Sequence, residues 1–151
     1  MAKFEFRLQN YLGIKEQLEE QKKNEYGLAL RRLEEERQRK RLMEQELLEN
    51  VNLFKKGLAK SIVPGDIRRY NNRIELLKIW IAEQEERIKE FAKRAEEKRL
   101  ELVEAMKERK ALETVKERNY EEYMKGEQRA GQAVVDGVVS YKYAEKLILL
   151  R

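Results

Sequence analysis

The sequence predicts an all-α fold: two long helices forming an antiparallel coiled-coil hairpin with a C-terminal helical overhang. Three observations carry this. An apolar repeat of 3.5 residues holds its phase from Ile67 to Leu112. A single proline, Pro64, interrupts otherwise helical sequence. Charged residues make up 42% of the 151 and aromatics 8%, a balance that suits long helices and leaves too little apolar material for a deep core.

The first helix is expected over about residues 4–60. Its clearest periodicity is Met43, Leu47, Val51, Phe54, Leu58 and Ile62, at spacings of three and four. A second run is Leu8, Tyr11, Ile14 or Lys15, and Leu18. Between them lie Tyr26, Ala29 and Leu33, then the charged block Glu34 to Arg41, where weaker pairing is expected. Gly13 and Gly27 fall inside the helix, each costing roughly 1 kcal/mol against alanine.

Residues 61–66 are the expected turn. Proline cannot continue a helix but suits its first turn, and Asp66 then meets the positive end of the helix dipole.

The second helix is expected over about residues 67–143, with 144–151 a loose tail. With Ile67 at a, its a and d positions read Ile67, Tyr70, Ile74, Leu77, Ile81, Gln84, Ile88, Phe91, Ala95, Lys98, Leu102, Ala105, Arg109 and Leu112. Eleven of the fourteen are apolar or aromatic, which makes a narrow seam against one partner helix. Beyond Leu112 the repeat blurs, and Gly126, Gly131 and Gly137 thin it. A turn near residue 64 pairs position i with about 127 − i, so Phe4 faces about Tyr123. The paired length is on the order of 90 Å, with roughly 30 Å of helix left over. Tyr120, Tyr123, Val134, Val135, Val138 and Val139 then lack a cover within the chain. The whole chain, 1–151, reads as one coiled-coil hairpin.

Composition narrows the chemistry. The chain has no cysteine and no histidine, which removes thiolate nucleophiles, imidazole bases and the usual zinc ligands. Paired acids such as Glu85-Glu86 and Glu121-Glu122 are ordinary on a solvated helix. Gly126 and Gly131 frame the start of a phosphate loop, but Gln132 and Ala133 stand where its lysine and hydroxyl belong. No catalytic, cofactor or metal residue is expected. The net charge of +5 is spread among interleaved acids, and Glu34, Glu35 and Glu36 adjoin the basic run Arg37 to Arg41, which argues against nucleic acid. The opening residues show no signal peptide, and no apolar run approaches a membrane span.

One feature lies off the seam. Leu76, Ile79 and Trp80 fall at c, f and g of the second helix, and the facing region of the first includes Leu42, Leu48 and Leu53, of which Leu48 is taken with them. Bulky apolar groups on an outer face mark a partner site, self-association, or no more than scattered surface hydrophobes.

Several stretches together resemble the FliJ family. They are Phe4-x-Phe6-x-Leu8-Gln9-x-x-Leu12-x-x-Lys15, Glu19-Glu20-Gln21-Lys22-Lys23, Ile67 with Tyr70-Asn71-Asn72 after the turn, and Arg109-Lys110-x-Leu112-Glu113-x-x-Lys116-Glu117-Arg118. The similarity covers about residues 4–136, and it lies in their order around one hairpin. It implies a non-enzymatic, cofactor-free component of flagellar type III protein export and hence of motility. The implied partners are the export ATPase (FliI), the membrane export gate (FlhA) and export chaperones. The implied location is the cytoplasm, peripheral at the inner face of the cell membrane. It also implies a stalk-like part whose chain ends enter the ATPase ring, here through Phe4, Phe6, Leu8, Tyr11, Tyr120, Tyr123, Val134 and Val138. By the same analogy, Leu48, Leu76, Ile79 and Trp80 are the export-gate contact. The alternative is a scaffolding coiled coil that self-associates.

Overall fold

The computed structural model describes residues 3–60 and 63–150. It contains two helices packed against each other, α1 (Gln9–Ala59) and α2 (Pro64–Leu149). They contribute to two compact units, Glu19–Ala105 and Met1–Leu18 with Met106–Arg151.

In the unit Glu19–Ala105 every expected seam position of α2 is buried or half-buried, from Ile67 to Ala105. Leu77 is wholly buried, and Ile74, Gln84, Ala95 and Ala105 nearly so. On α1 the facing positions also step by three and four: Glu19, Lys22, Tyr26, Ala29, Leu33, Glu36, Lys40, Met43, Leu47, Asn50, Phe54 and Gly57 are each buried or half-buried. The seam therefore ends on Gly57, while Leu58 is exposed. Ile62 lies outside the described residues.

The charged block does not open this seam. Glu36 is only 4% exposed. Gln84 Nε2 donates to the Glu36 carboxylate at 2.6 Å and to its backbone carbonyl at 2.9 Å. Arg87 and Arg39 reach the two carboxylate oxygens at 3.1 and 3.3 Å. Lys40 spans to Glu85 at 3.2 Å. Each buried polar atom has a partner among the described residues, so the layer is closed by hydrogen bonds where its neighbours are closed by apolar contact.

The helix limits differ from expectation in three places. Residues 3–6 are not helical. Phe6 is buried there, and the Gln9 N–H donates to the Phe6 carbonyl at 3.0 Å as the helix starts. Burying that ring holds the chain off the helical path. At the reversal, α2 opens at Pro64 itself, with the Asp66 N–H on the Val63 carbonyl at 3.0 Å. Proline lacks the N–H that a first-turn residue leaves unpaired. Ser61 and Ile62, part of the expected turn, lie outside the described residues. Finally, 144–149 is not a loose tail: α2 continues to Leu149. A Cβ at Gly126, Gly131 or Gly137 would meet nothing within 4 Å. These glycines lower helix propensity without admitting a close neighbour.

The pairing sits closer to the turn than 127 − i. In the unit Glu19–Ala105, Glu46 meets Arg73, Glu25 meets Lys98 at 3.4 Å and Lys22 meets Glu101 at 3.2 Å. In the other unit, Lys15 meets Glu108 at 2.8 Å and Lys116 donates to Gln9 at 2.7 Å. α1 ends at Ala59 and α2 starts at Pro64, so each partner moves back along α2.

The Glu36 layer generates two predictions. Gln84→Leu removes a buried donor and is expected to destabilise the chain by about 1–3 kcal/mol, read as a fall in thermal midpoint. Glu36→Leu with Gln84→Leu should recover most of that loss, because a buried polar set replaced whole costs little. The second concerns acid. Burial acts to raise the Glu36 carboxyl, and the Gln84 hydrogen bond with the Arg39 and Arg87 charges outweighs it, leaving the group below the usual carboxylate range. A depressed folded value means its stabilisation is present above the unfolded value and lost as pH falls through the folded one. Glu36→Gln should therefore flatten the acid side of the stability–pH curve. An unchanged acid slope would show that other carboxylates control it.

Candidate partner-binding surfaces

The first surface lies on the unit Glu19–Ala105. Leu76 and Ile79 are exposed and Trp80 is half-buried. The Arg73 guanidinium stacks over the Trp80 ring, 4.8 Å from its centroid, and its Nε donates to Glu46 at 2.8 Å. The indole is thus held against the coil by a cation that is itself held by the other helix. Beside it runs an open groove lined by Met43, Trp80, Glu83, Gln84, Arg87 and Glu90. Further along, Phe91 receives Arg87 and Arg94, at 5.6 and 5.1 Å.

Leu48 does not join this surface. Arg73 and Trp80 are one heptad apart and share a flank, and Glu46 faces that flank. Leu48 stands two residues past Glu46, about 200° round the helix. The leucines of α1 on the Trp80 side are Leu42 and Leu53, four before and seven after Glu46, and both are exposed. The signal that separates them is the pairing of Glu46 with Arg73, which fixes the side each helix turns outward.

The second surface lies on the unit that holds both ends of the chain. Phe4 packs edge-on to Tyr120 at 5.2 Å and tilted against Tyr123 at 5.4 Å, with the two tyrosines 6.4 Å apart. Phe6 is buried and Leu8 and Tyr11 are exposed. Lys15 Nζ lies 5.2 Å from the Tyr11 ring centroid. Of the eight expected residues, Phe4, Tyr120 and Tyr123 form one cluster. Phe6 is core and reaches a partner only by unpacking. Val134 and Val138 stand further out, 67% and 51% exposed, roughly 16 Å or more past Tyr123 by helical rise.

From Met124 to Leu150 all residues are exposed except Glu127, which is half-buried. In this stretch the bulky groups change phase. The positions that continue the seam are Gly126, Ala130, Ala133, Gly137, Ser140, Ala144 and Leu147. The large residues Met124, Val134 and Val138 each come one position after a seam position (Tyr123, Ala133 and Gly137), a turn of about 100°. The apolar stripe that fits α1 stops, and a second one begins on another side.

Acids and bases elsewhere satisfy one another. Arg39 pairs with Glu36, Lys40 with Glu44 and Glu85, and Arg41 with Glu34, so most of the basic block is neutralised in place. The described residues hold no acid cluster suited to a metal ion.

The family model of the flagellar FliJ protein matches residues 4–147, nearly the whole chain. Comparison with curated proteins and with solved structures gives no significant match.

Trp80 is the sole tryptophan and sits on a flank, not on the seam. Trp80→Ala is expected to leave helicity unchanged by circular dichroism and to move stability by no more than about 1 kcal/mol, the scale of an exposed cation–π contact. Loss of helix on that substitution would make Trp80 a packing residue.

Proposed function

Because the chain belongs to the FliJ family of flagellar export-associated proteins, we propose that it is a non-enzymatic stalk and chaperone-escort component of the type III export apparatus. Its terminal surface enters the export ATPase ring (FliI), and its Leu76–Ile79–Trp80 surface binds the export gate (FlhA). It acts in the cytoplasm, held at the inner face of the cell membrane through its partners.

The observation that carries this reading is the largely exposed run of α2 from Met124 to Val139, whose apolar stripe no helix covers among the described residues. Covering Val134, Val138 and the rim of the Phe4–Tyr120–Tyr123 cluster removes apolar area from water, at roughly 25 cal/mol per Å². A ligand that binds the closed ring and not the free subunits shifts assembly toward the ring. Hydrolysis then rises because more rings exist, with no catalytic residue donated by this chain. At the other surface, an indole beside an open groove and flanked by exposed aliphatics has the make-up of an interface anchor.

Two variants separate the surfaces. Truncation after Glu122 is expected to abolish stimulation of ATPase activity and ring assembly while gate binding persists. Trp80→Ala is expected to weaken gate binding about tenfold or more while ATPase stimulation persists. Full stimulation by the truncated chain would reduce the C-terminal run to a dispensable extension.

A further inference from the structure

The last turns of α2 carry a feature that neither proposed contact uses. Tyr141, Tyr143, Leu147, Ile148, Leu149 and Leu150 are all exposed, between 50% and 84%. Four consecutive large aliphatic residues at the end of a helix face all sides of one turn, at 100° a residue. A lipid surface accepts such a helix end without a shaped pocket.

The charges agree with that medium. Residues 133–150 contain only Asp136, Lys142, Glu145 and Lys146 as charged groups, in a chain that is 42% charged. Asp136 already accepts from Gln132 at 2.9 Å. Among the described residues no carboxylate holds Lys142 or Lys146. Those two lysines, four apart, share one side of the helix. Tyr141, Ala144, Leu147 and Ile148 fall within about a third of the circumference on the other side. Among the described residues no helix is long and apolar enough to cross a membrane.

We infer that residues 141–150 dock on an anionic lipid surface. The helix end lies in the plane of the headgroups, with Tyr141, Ala144, Leu147 and Ile148 toward the acyl chains. Lys142 and Lys146 supply the attraction to the headgroups. Tyrosine, apolar in body and polar at its tip, suits the headgroup level. This contact goes beyond the protein contacts proposed above and rests on neither of them.

The test is flotation of the purified full-length chain with vesicles of phosphatidylglycerol and phosphatidylethanolamine, and with vesicles of phosphatidylcholine alone. The chain is expected to float with the anionic vesicles, to float poorly with the neutral ones, and to lose binding in high salt. Leu147→Ser with Ile148→Ser, and Lys142→Glu with Lys146→Glu, should each lower partitioning about tenfold or more. These side chains are exposed, so circular dichroism should report unchanged helix in both variants. Tyr120, Tyr123, Val134 and Val138 are untouched, so ATPase stimulation should persist, which separates failure here from failure of the ring contact. Absence of flotation by the parent chain, or equal flotation by parent and variants, overturns the inference. So does a serine variant that turns a dimer into a monomer by light scattering while vesicle binding stays unchanged, since the turn would then be a self-contact.

Discussion

Two helices that touch along one line must each return a side chain to that line every three or four residues. A gap in either helix separates the pair locally and exposes what lies on both sides of it. The seam between α1 and α2 meets this constraint with unequal means. On α2 the line is mostly isoleucine, leucine, tyrosine and phenylalanine. On α1 it includes Glu19, Lys22, Glu36, Lys40 and Asn50. Apolar knobs from one helix enter holes whose walls are in part the stems of long charged residues, whose heads reach solvent or the other helix. Lys22 to Glu101 and Lys40 to Glu85 are examples.

Polar seam positions trade stability for register. Apolar layers accept a slip of one heptad with little change in contact. Glu36 does not, because its partners are Gln84 across the seam and Arg87 one turn further along α2. A slipped pair would bury that carboxylate without its donors, and an unpaired buried charge is the costlier state. The flanking pairs add little energy one by one. Each specifies the same alignment, so they count as addresses more than as bonds.

The candidate surfaces follow from what the seam leaves over. Once the seam faces are spent on each other, every large apolar group elsewhere is exposed unless something outside covers it. Leu76, Ile79 and Trp80 are left over because they sit on the wrong side of a helix that is already paired. The valines past Tyr123 are left over because α1 has ended. The two surfaces therefore differ in kind. One decorates a finished coil, with its indole steadied by Arg73. The other is a stretch of helix whose stripe has rotated away from the direction α1 occupies.

Much of this was legible in the residues alone. Fourteen positions at strict heptad spacing, one proline and a shortage of helix breakers define two helices, one reversal and one seam, because helical period and proline geometry are local properties of the chain. The match of α2's buried positions to its heptad shows how little tertiary context that required. The polar half of the seam was not legible. Glu36 in a charged block looks like surface, and only Gln84, forty-eight residues away, makes its burial tolerable. Nor could sequence place Leu48, Leu42 and Leu53 relative to Trp80. That depends on which flank Glu46 shares with Arg73, and so on a register that shifts by several residues with the length of the turn. Phe6 read as a partner residue and is core, because the chain leaves the helical path before Gln9 to bury it. Local periodicity determines which residues form helices and which side of each is apolar. Only the packed pair decides which polar groups that packing can hold and which apolar ones it leaves to water.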